Sequence, residues 1–159
     1  MTETSPSPPL PVEAGPIPSE GPVSGIDVRR RVEFADTDLG GIVHFSRFFV
    51  FMETAEHELL RALGTLVHTR HQGHAIGWPR VEAHCKYMSP LRYGDEVEIR
   101  LRVARKGHSS MTYEATFWVG ERRVAEGRIS SVCCVLDDPA GIRPVAIPQP
   151  LADRLAEAL

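Results

Sequence analysis

One strand, then one long helix, then four strands joined by hairpin-length connections: this order predicts an α+β domain in which a five-stranded antiparallel sheet curls around a single central helix. Two periodicities support it. Apolar residues recur at every second position in five runs, as on half-buried strands, and at every third or fourth position in one run, as on a helix. A chain of 159 residues is enough for one ordinary domain.

In the first strand Ile26, Val28, Val32 and Phe34 alternate with Asp27, Arg29, Arg31 and Glu33, with Arg30 as the one misfit. A glycine-containing turn, Asp38-Leu39-Gly40-Gly41, leads to a helix predicted over residues 46–63. There Phe48, Met52, Ala55, Leu59 and Ala62 form one stripe, and Phe49, Phe51, Leu60 and Leu63 widen it, so the helix should be wrapped on several sides. Ser46 fits an N-cap and Gly64 the residue that ends the helix. After an irregular histidine-rich stretch come Val81, Ala83, Cys85 and Tyr87; then Val97, Ile99, Leu101 and Val103; then Met111, Tyr113, Ala115, Phe117 and Val119. Gly120-Glu121 turns the chain into a last run over 123–136, and a short amphipathic helix is expected near 152–159.

Composition narrows the function classes. A net charge of −3 argues against broad attraction to nucleic acid or anionic lipid, and no window is long and apolar enough for a membrane-spanning helix. No basic-then-apolar leader opens the chain, and three cysteines without a C-x-x-C suggest neither a disulfide framework nor a cysteine metal site, so a reduced cytoplasmic protein is expected. Residues 1–25 hold seven of the 13 prolines and no Lys, Arg or aromatic residue. Such a segment is expected to be a disordered tail ahead of the domain at 26–159, and its Pro8 and Pro11 form one P-x-x-P.

The densest chemistry lies in Phe34-Ala35-Asp36-Thr37-Asp38-Leu39-Gly40-Gly41-Ile42-Val43-His44-Phe45-Ser46. Two carboxylates, a double glycine and a histidine stand between a strand and the start of the helix. Gly40 and Gly41 permit close approach of a ligand, and the helix start offers unpaired N–H groups at the positive end of its dipole. A carboxylate beside such donors can attack a carbonyl, or activate water to attack it, while the donors hold the carbonyl oxygen. The alternative is an Asx turn in which Asp36 or Asp38 serves the backbone only.

Asp36-Thr37-Asp38-x-x-Gly41-Ile42-Val43-x-Phe45-Ser46, with Phe49 and Met52-Glu53-x-Ala55, resembles the signature of the 4-hydroxybenzoyl-CoA thioesterase family. Pro90-Leu91-Arg92-Tyr93-Gly94-Asp95, Lys106-Gly107-His108-Ser109-Ser110, Ala125-Glu126-Gly127 and Arg143-Pro144-x-x-Ile147-Pro148 extend the resemblance over residues 26–155. It implies a hotdog fold and hydrolysis of acyl-CoA to free acid and CoA, without metal or organic cofactor, in a homodimer or homotetramer whose interface builds the active site. It further implies Asp38 as nucleophile or general base and the Phe45 backbone N–H as donor to the thioester oxygen. Relatives often carry Tyr or His at position 45, where Phe45 offers no polar side chain, and His44 is a candidate substitute. Gly41 belongs to the substrate-binding turn. Arg105, Lys106, His108, Ser109 and Ser110 gather cations and hydroxyls in one hairpin, and by resemblance that turn lies near the CoA phosphates.

Other clusters read as bland. His68, His71 and His74 have a metal-like spacing, but Gly73 and Gly77 disfavour a helix there and no carboxylate or cysteine accompanies them. Glu53 matches a helix carboxylate of the family and reads as structural or pocket-lining. The rival functions are a non-catalytic acyl-CoA or acyl-carrier binding module and a hotdog dehydratase or hydratase using a histidine base.

Overall fold

Residues 12–14 and 19–158 are described by a computed structural model. In chain order the elements are β1 (Val12–Ala14), β2 (Gly25–Arg31), α1 (Arg47–Ala62), β3 (Thr69–His71), β4 (His74–Gly77), β5 (Arg80–Tyr87), β6 (Glu96–Lys106), β7 (Ser110–Val119), β8 (Arg122–Val132), β9 (Cys134–Val135), β10 (Arg143–Pro144) and α2 (Gln149–Arg154). The main sheet is antiparallel with strand order β1-β2-β6-β7-β8-β5, and α1 packs against it. The five strands expected from alternation are β2, β5, β6, β7 and β8. A second sheet of short strands, β10-β9-β4-β3, lies beyond them.

The stripe on α1 is buried as its spacing requires: Phe48, Phe51, Met52, Ala55, Leu59 and Leu60 face the core. Val28, Val97, Ile99, Leu101, Val103, Tyr113, Ala115 and Phe117 meet them from the sheet. Gly64 has φ +81°, the left-handed conformation that ends a helix and that a side chain resists. Ser46 occupies the N-cap, but its hydroxyl lies 2.8 Å from His44 Nδ1 and caps no helix N–H.

Five expectations are corrected. Disorder across 1–25 fails where residues are described. Val12–Ala14 pairs with the open edge of β2, while Val23 is buried and donates its N–H to the Arg154 carbonyl at 2.6 Å. The rest of that expectation, with Pro8 and Pro11, falls on residues outside the described ones. The run over 123–136 splits at Cys133, where the chain leaves the main sheet. The last helix starts earlier, after Pro148, and stops at Arg154, before Leu155 forms a bridge to Val23. Phe34 leaves the strand pattern, because β2 ends at Arg31 and a 3₁₀ turn over Phe34–Asp36 rotates it to 80% exposure. The side chains of β5 stay open, with Val81 66% and Tyr87 44% exposed, because β5 is an outer strand of the sheet.

Among the described residues three charged side chains are buried: Asp36 at the end of the 3₁₀ turn, and two that enter the core from β2 and α1. Arg30 continues the inward face of β2, and its guanidinium lies 4.1 Å over the Phe51 ring. Glu56 on α1 is fully buried and receives both terminal nitrogens of Arg80, one of them at 2.9 Å. Burial, with the Glu56 carboxylate second, pushes the Tyr113 phenol well above its ordinary range.

The β2–β6 pairing admits no side chain at Gly25, where a Cβ would stand 2.2 Å from the Leu101 carbonyl oxygen. The atom it meets is backbone and cannot swing aside. Gly25→Ala should cost about 1–3 kcal/mol, read as a lower midpoint in urea unfolding.

Candidate active site

The segment between β2 and α1 is a tight reversal built on its own polar groups. The Asp38 N–H donates to the Ile42 carbonyl at 2.9 Å, and the Gly41 N–H donates to the Asp38 carbonyl at 3.0 Å. Gly41 takes φ +71°, which closes the turn. Asp38 Oδ1 accepts the Gly40 N–H at 2.8 Å, so one carboxylate oxygen makes the Asx turn and the other has no hydrogen-bond partner among the described residues.

Asp36 is held quite differently. Its side chain is fully buried and accepts from Arg30 Nη2 at 3.1 Å, Arg47 Nε at 2.8 Å and the Glu33 N–H at 2.9 Å. Its carbonyl accepts the His44 N–H at 2.9 Å. One residue thus fastens the end of β2, the turn and the first residue of α1 together.

A groove of about 510 Å³ opens beside the turn, within the usual range of ligand pockets. Asp38 stands in its wall with Ile42, Val43, Phe45, Phe48, Met88, Pro90 and Leu91, so the lining is largely apolar. The Phe45 N–H donates to no acceptor among the described residues. The Phe45 carbonyl accepts the Tyr87 hydroxyl at 3.0 Å, and the Tyr87 ring meets Phe48 edge-on with centroids 5.1 Å apart. Tyr87 therefore fixes the peptide next to the free donor. Its alternation on β5 marked it only as core, and no sequence signal links β5 to the helix start.

Asp38, Gly41 and Phe45 are brought together by the turn. His44 is not: its ring turns to Ser46 and it does not line the groove. The turn after β6 is not brought to Asp38 within one chain either. β6 starts beside the groove, where the Val32 N–H reaches the Asp95 carbonyl and the Val43 N–H the Leu91 carbonyl, and it ends at Lys106. Eleven residues of strand separate the ends by roughly 30 Å. Lys106 Nζ donates to the carbonyls of Ala152 at 2.8 Å and Leu155 at 2.6 Å, and the Lys106 N–H to Glu157 at 2.8 Å. Its cation secures the end of α2. Lys106→Ala should therefore lower stability by about 1–3 kcal/mol, seen as a lower unfolding midpoint in thermal denaturation.

The histidine-rich stretch is the β3–β4 hairpin, with His71 opposite His74 and Gln72-Gly73 at positive φ in its turn. His74 Nδ1 lies 3.6 Å from Asp137. No group of three or more His, Cys, Asp or Glu side chains suited to a metal ion is found among the described residues. Burial pushes the thiols of Cys85 and Cys133 up to about 11, which removes them as thiolate nucleophiles at neutral pH. No helix among the described residues is long and apolar enough to cross a membrane.

The long helix packed on an antiparallel sheet is the hotdog arrangement of acyl-CoA thioesterases. The family model of the thioesterase superfamily matches residues 40–126, and the chain belongs to that superfamily. It is 31% identical over 133 residues to 1,4-dihydroxy-2-naphthoyl-CoA hydrolase from Thermosynechococcus vestitus, covering 83% of this chain and 89% of that one. The hydrolase of the same name from Synechococcus sp. strain CC9605 is 29% identical over 138 residues, covering 84% and 90%. Among solved structures, a gentisyl-coenzyme A thioesterase superposes with a TM-score of 0.68 at 28% identity, over 79% of this chain and 98% of that one.

Proposed function

We propose that the protein hydrolyses acyl-CoA thioesters, with the Asp38 carboxylate as the reacting group and the Phe45 N–H as donor to the thioester oxygen. The observation that carries this reading is a carboxylate oxygen and a backbone N–H, both unpartnered among the described residues, on one apolar groove. In the nucleophilic route the free oxygen of Asp38 bonds to the thioester carbon, the C–S bond breaks, and the thiolate leaves and takes a proton. Water then cleaves the mixed anhydride and restores the carboxylate. In the general-base route Asp38 takes a proton from water, which attacks the same carbon. Both routes develop negative charge on the thioester oxygen, where the Phe45 N–H at the positive end of α1 is worth most. Label found in the Asp38 carboxylate after single-turnover hydrolysis in ¹⁸O water would establish the nucleophilic route, since the general-base route puts the label only in the product acid.

The groove walls, with Phe45 and Phe48 among their apolar groups, suit a flat aromatic acyl group. The naphthoyl and gentisyl substrates in the names of the relatives support the same choice. A panel of benzoyl-, phenylacetyl-, hexanoyl- and palmitoyl-CoA tests this by free-thiol release, with the aromatic members expected to have the highest kcat/KM. Preference for palmitoyl-CoA would overturn the aromatic assignment. The outer edge of β5 carries no partner strand among the described residues, and pairing of two such edges in a homodimer would satisfy both.

A further inference from the structure

The Phe45 N–H at the start of α1 is held from two sides, and only one of them belongs to the helix. On the near side the His44 carbonyl accepts the Arg47 N–H at 2.9 Å. A trans peptide sets its N–H opposite its C=O, so this bond turns the Phe45 N–H out of the N-terminal end of α1. On the far side the Phe45 carbonyl stands outside the helical ladder. The Phe49 N–H, its expected partner four residues on, goes to the Ser46 carbonyl at 3.2 Å instead. The Tyr87 hydroxyl, at 3.0 Å, is the one donor to the Phe45 carbonyl among the described residues.

That bond joins the last residue of β5 to the helix start across 42 residues of sequence. Close packing allows it. Tyr87 lies opposite Ala125 on β8, and on the same face of β8 Gly127 meets α1 so closely that a Cβ there would run into Met52. Phe48, on the first turn of α1, braces the Tyr87 ring edge-on. Tyr87 lines the groove together with Asp38 and Phe45, yet its proton is committed, because a carbonyl oxygen can only accept. Donors to a developing oxyanion act only when they are placed for it, and a misplacement of about 1 Å can cost roughly a hundredfold in rate.

We infer that Tyr87 is a positioning residue for the reaction: its hydroxyl fixes the Phe45 carbonyl and thereby keeps the Phe45 N–H aimed at the thioester oxygen. This role rests on the acyl-CoA reading above and adds to it a group that comes from neither the turn nor the helix.

The test is Tyr87→Phe, which keeps the ring against Phe48 and the wall of the groove and deletes only the hydroxyl. With benzoyl-CoA, kcat should fall about tenfold with KM unchanged, a part of the roughly hundredfold or more that loss of such a donor costs. Phenacyl-CoA, a thioether whose ketone carbonyl stands in for that of the thioester, supplies a readout independent of turnover. Its ¹³C-labelled carbonyl stretch, followed by infrared difference spectroscopy, should move to lower wavenumber on binding the wild type and by less on binding Tyr87→Phe. A rise in KM with kcat held would make Tyr87 a wall of the groove only and overturn the role. A carbonyl band that is the same in both proteins, or that the wild type does not move, would overturn it as well. A band that depends on Tyr87 in a protein cleaving no thioester would uphold the positioning of the Phe45 N–H and refute the hydrolase reading. Hydrolysis of benzoyl-CoA with kcat unchanged in Tyr87→Phe would do the reverse.

Discussion

Asp38→Asn is expected to reduce thioester hydrolysis by roughly two orders of magnitude or more while the protein stays folded. Asparagine retains a carbonyl oxygen at the place of Oδ1, so the Gly40 N–H keeps its acceptor and the turn keeps its shape. Asp38 is exposed, and no buried charge is stranded by the change. What disappears is the negative charge facing the groove, which alone can form the anhydride or deprotonate water. On the proposed mechanism that charge acts on the transition state, so kcat and kcat/KM should fall together, with KM little changed. A circular dichroism spectrum and unfolding midpoint like the wild type would show the loss to be chemical. A drop confined to KM would assign Asp38 to binding.

The second large effect is structural. Asp36→Ala is expected to destabilise the protein by about 3–5 kcal/mol, since it strands the buried Arg30 guanidinium and removes an acceptor from Arg47 and from the Glu33 N–H. Among the described residues Arg30 Nε already has no partner, so the site has little slack to absorb the loss. For a domain of this size the midpoint should drop by about 10 °C, against a total stability of roughly 5–15 kcal/mol. Asp36→Asn keeps the shape but not the charge and should lie between. A midpoint within a degree or two of the wild type would mean that Arg30 finds other solvation.

The two neighbouring aspartates show how far the sequence could be read. Their motif located the turn, and the apolar stripe located the helix behind it, so the joining of Asp38, Gly41 and Phe45 was legible. The geometry shows how the two differ: Asp36 sinks against Arg30 and Arg47, and Asp38 keeps one oxygen without a partner among the described residues. Arg30 looked like a misfit because alternation counts polarity and cannot see a carboxylate arriving from a turn six residues later. Tyr87 and Val81 looked like core because alternation does not say which strand is at the edge. Lys106 and its neighbours read as a phosphate cluster from charge and from the family resemblance, and the carbonyls that Lys106 Nζ reaches lie at the end of α2, some fifty residues away in sequence. Long-range pairing of this kind leaves no local pattern.

The most direct test of the Asp38 assignment is free-thiol release from benzoyl-CoA by wild-type protein and Asp38→Asn, assayed side by side at matched concentration. Steady release by the wild type and its near disappearance in the variant are the predicted result. Equal release by both proteins would place the chemistry on another group and contradict the assignment.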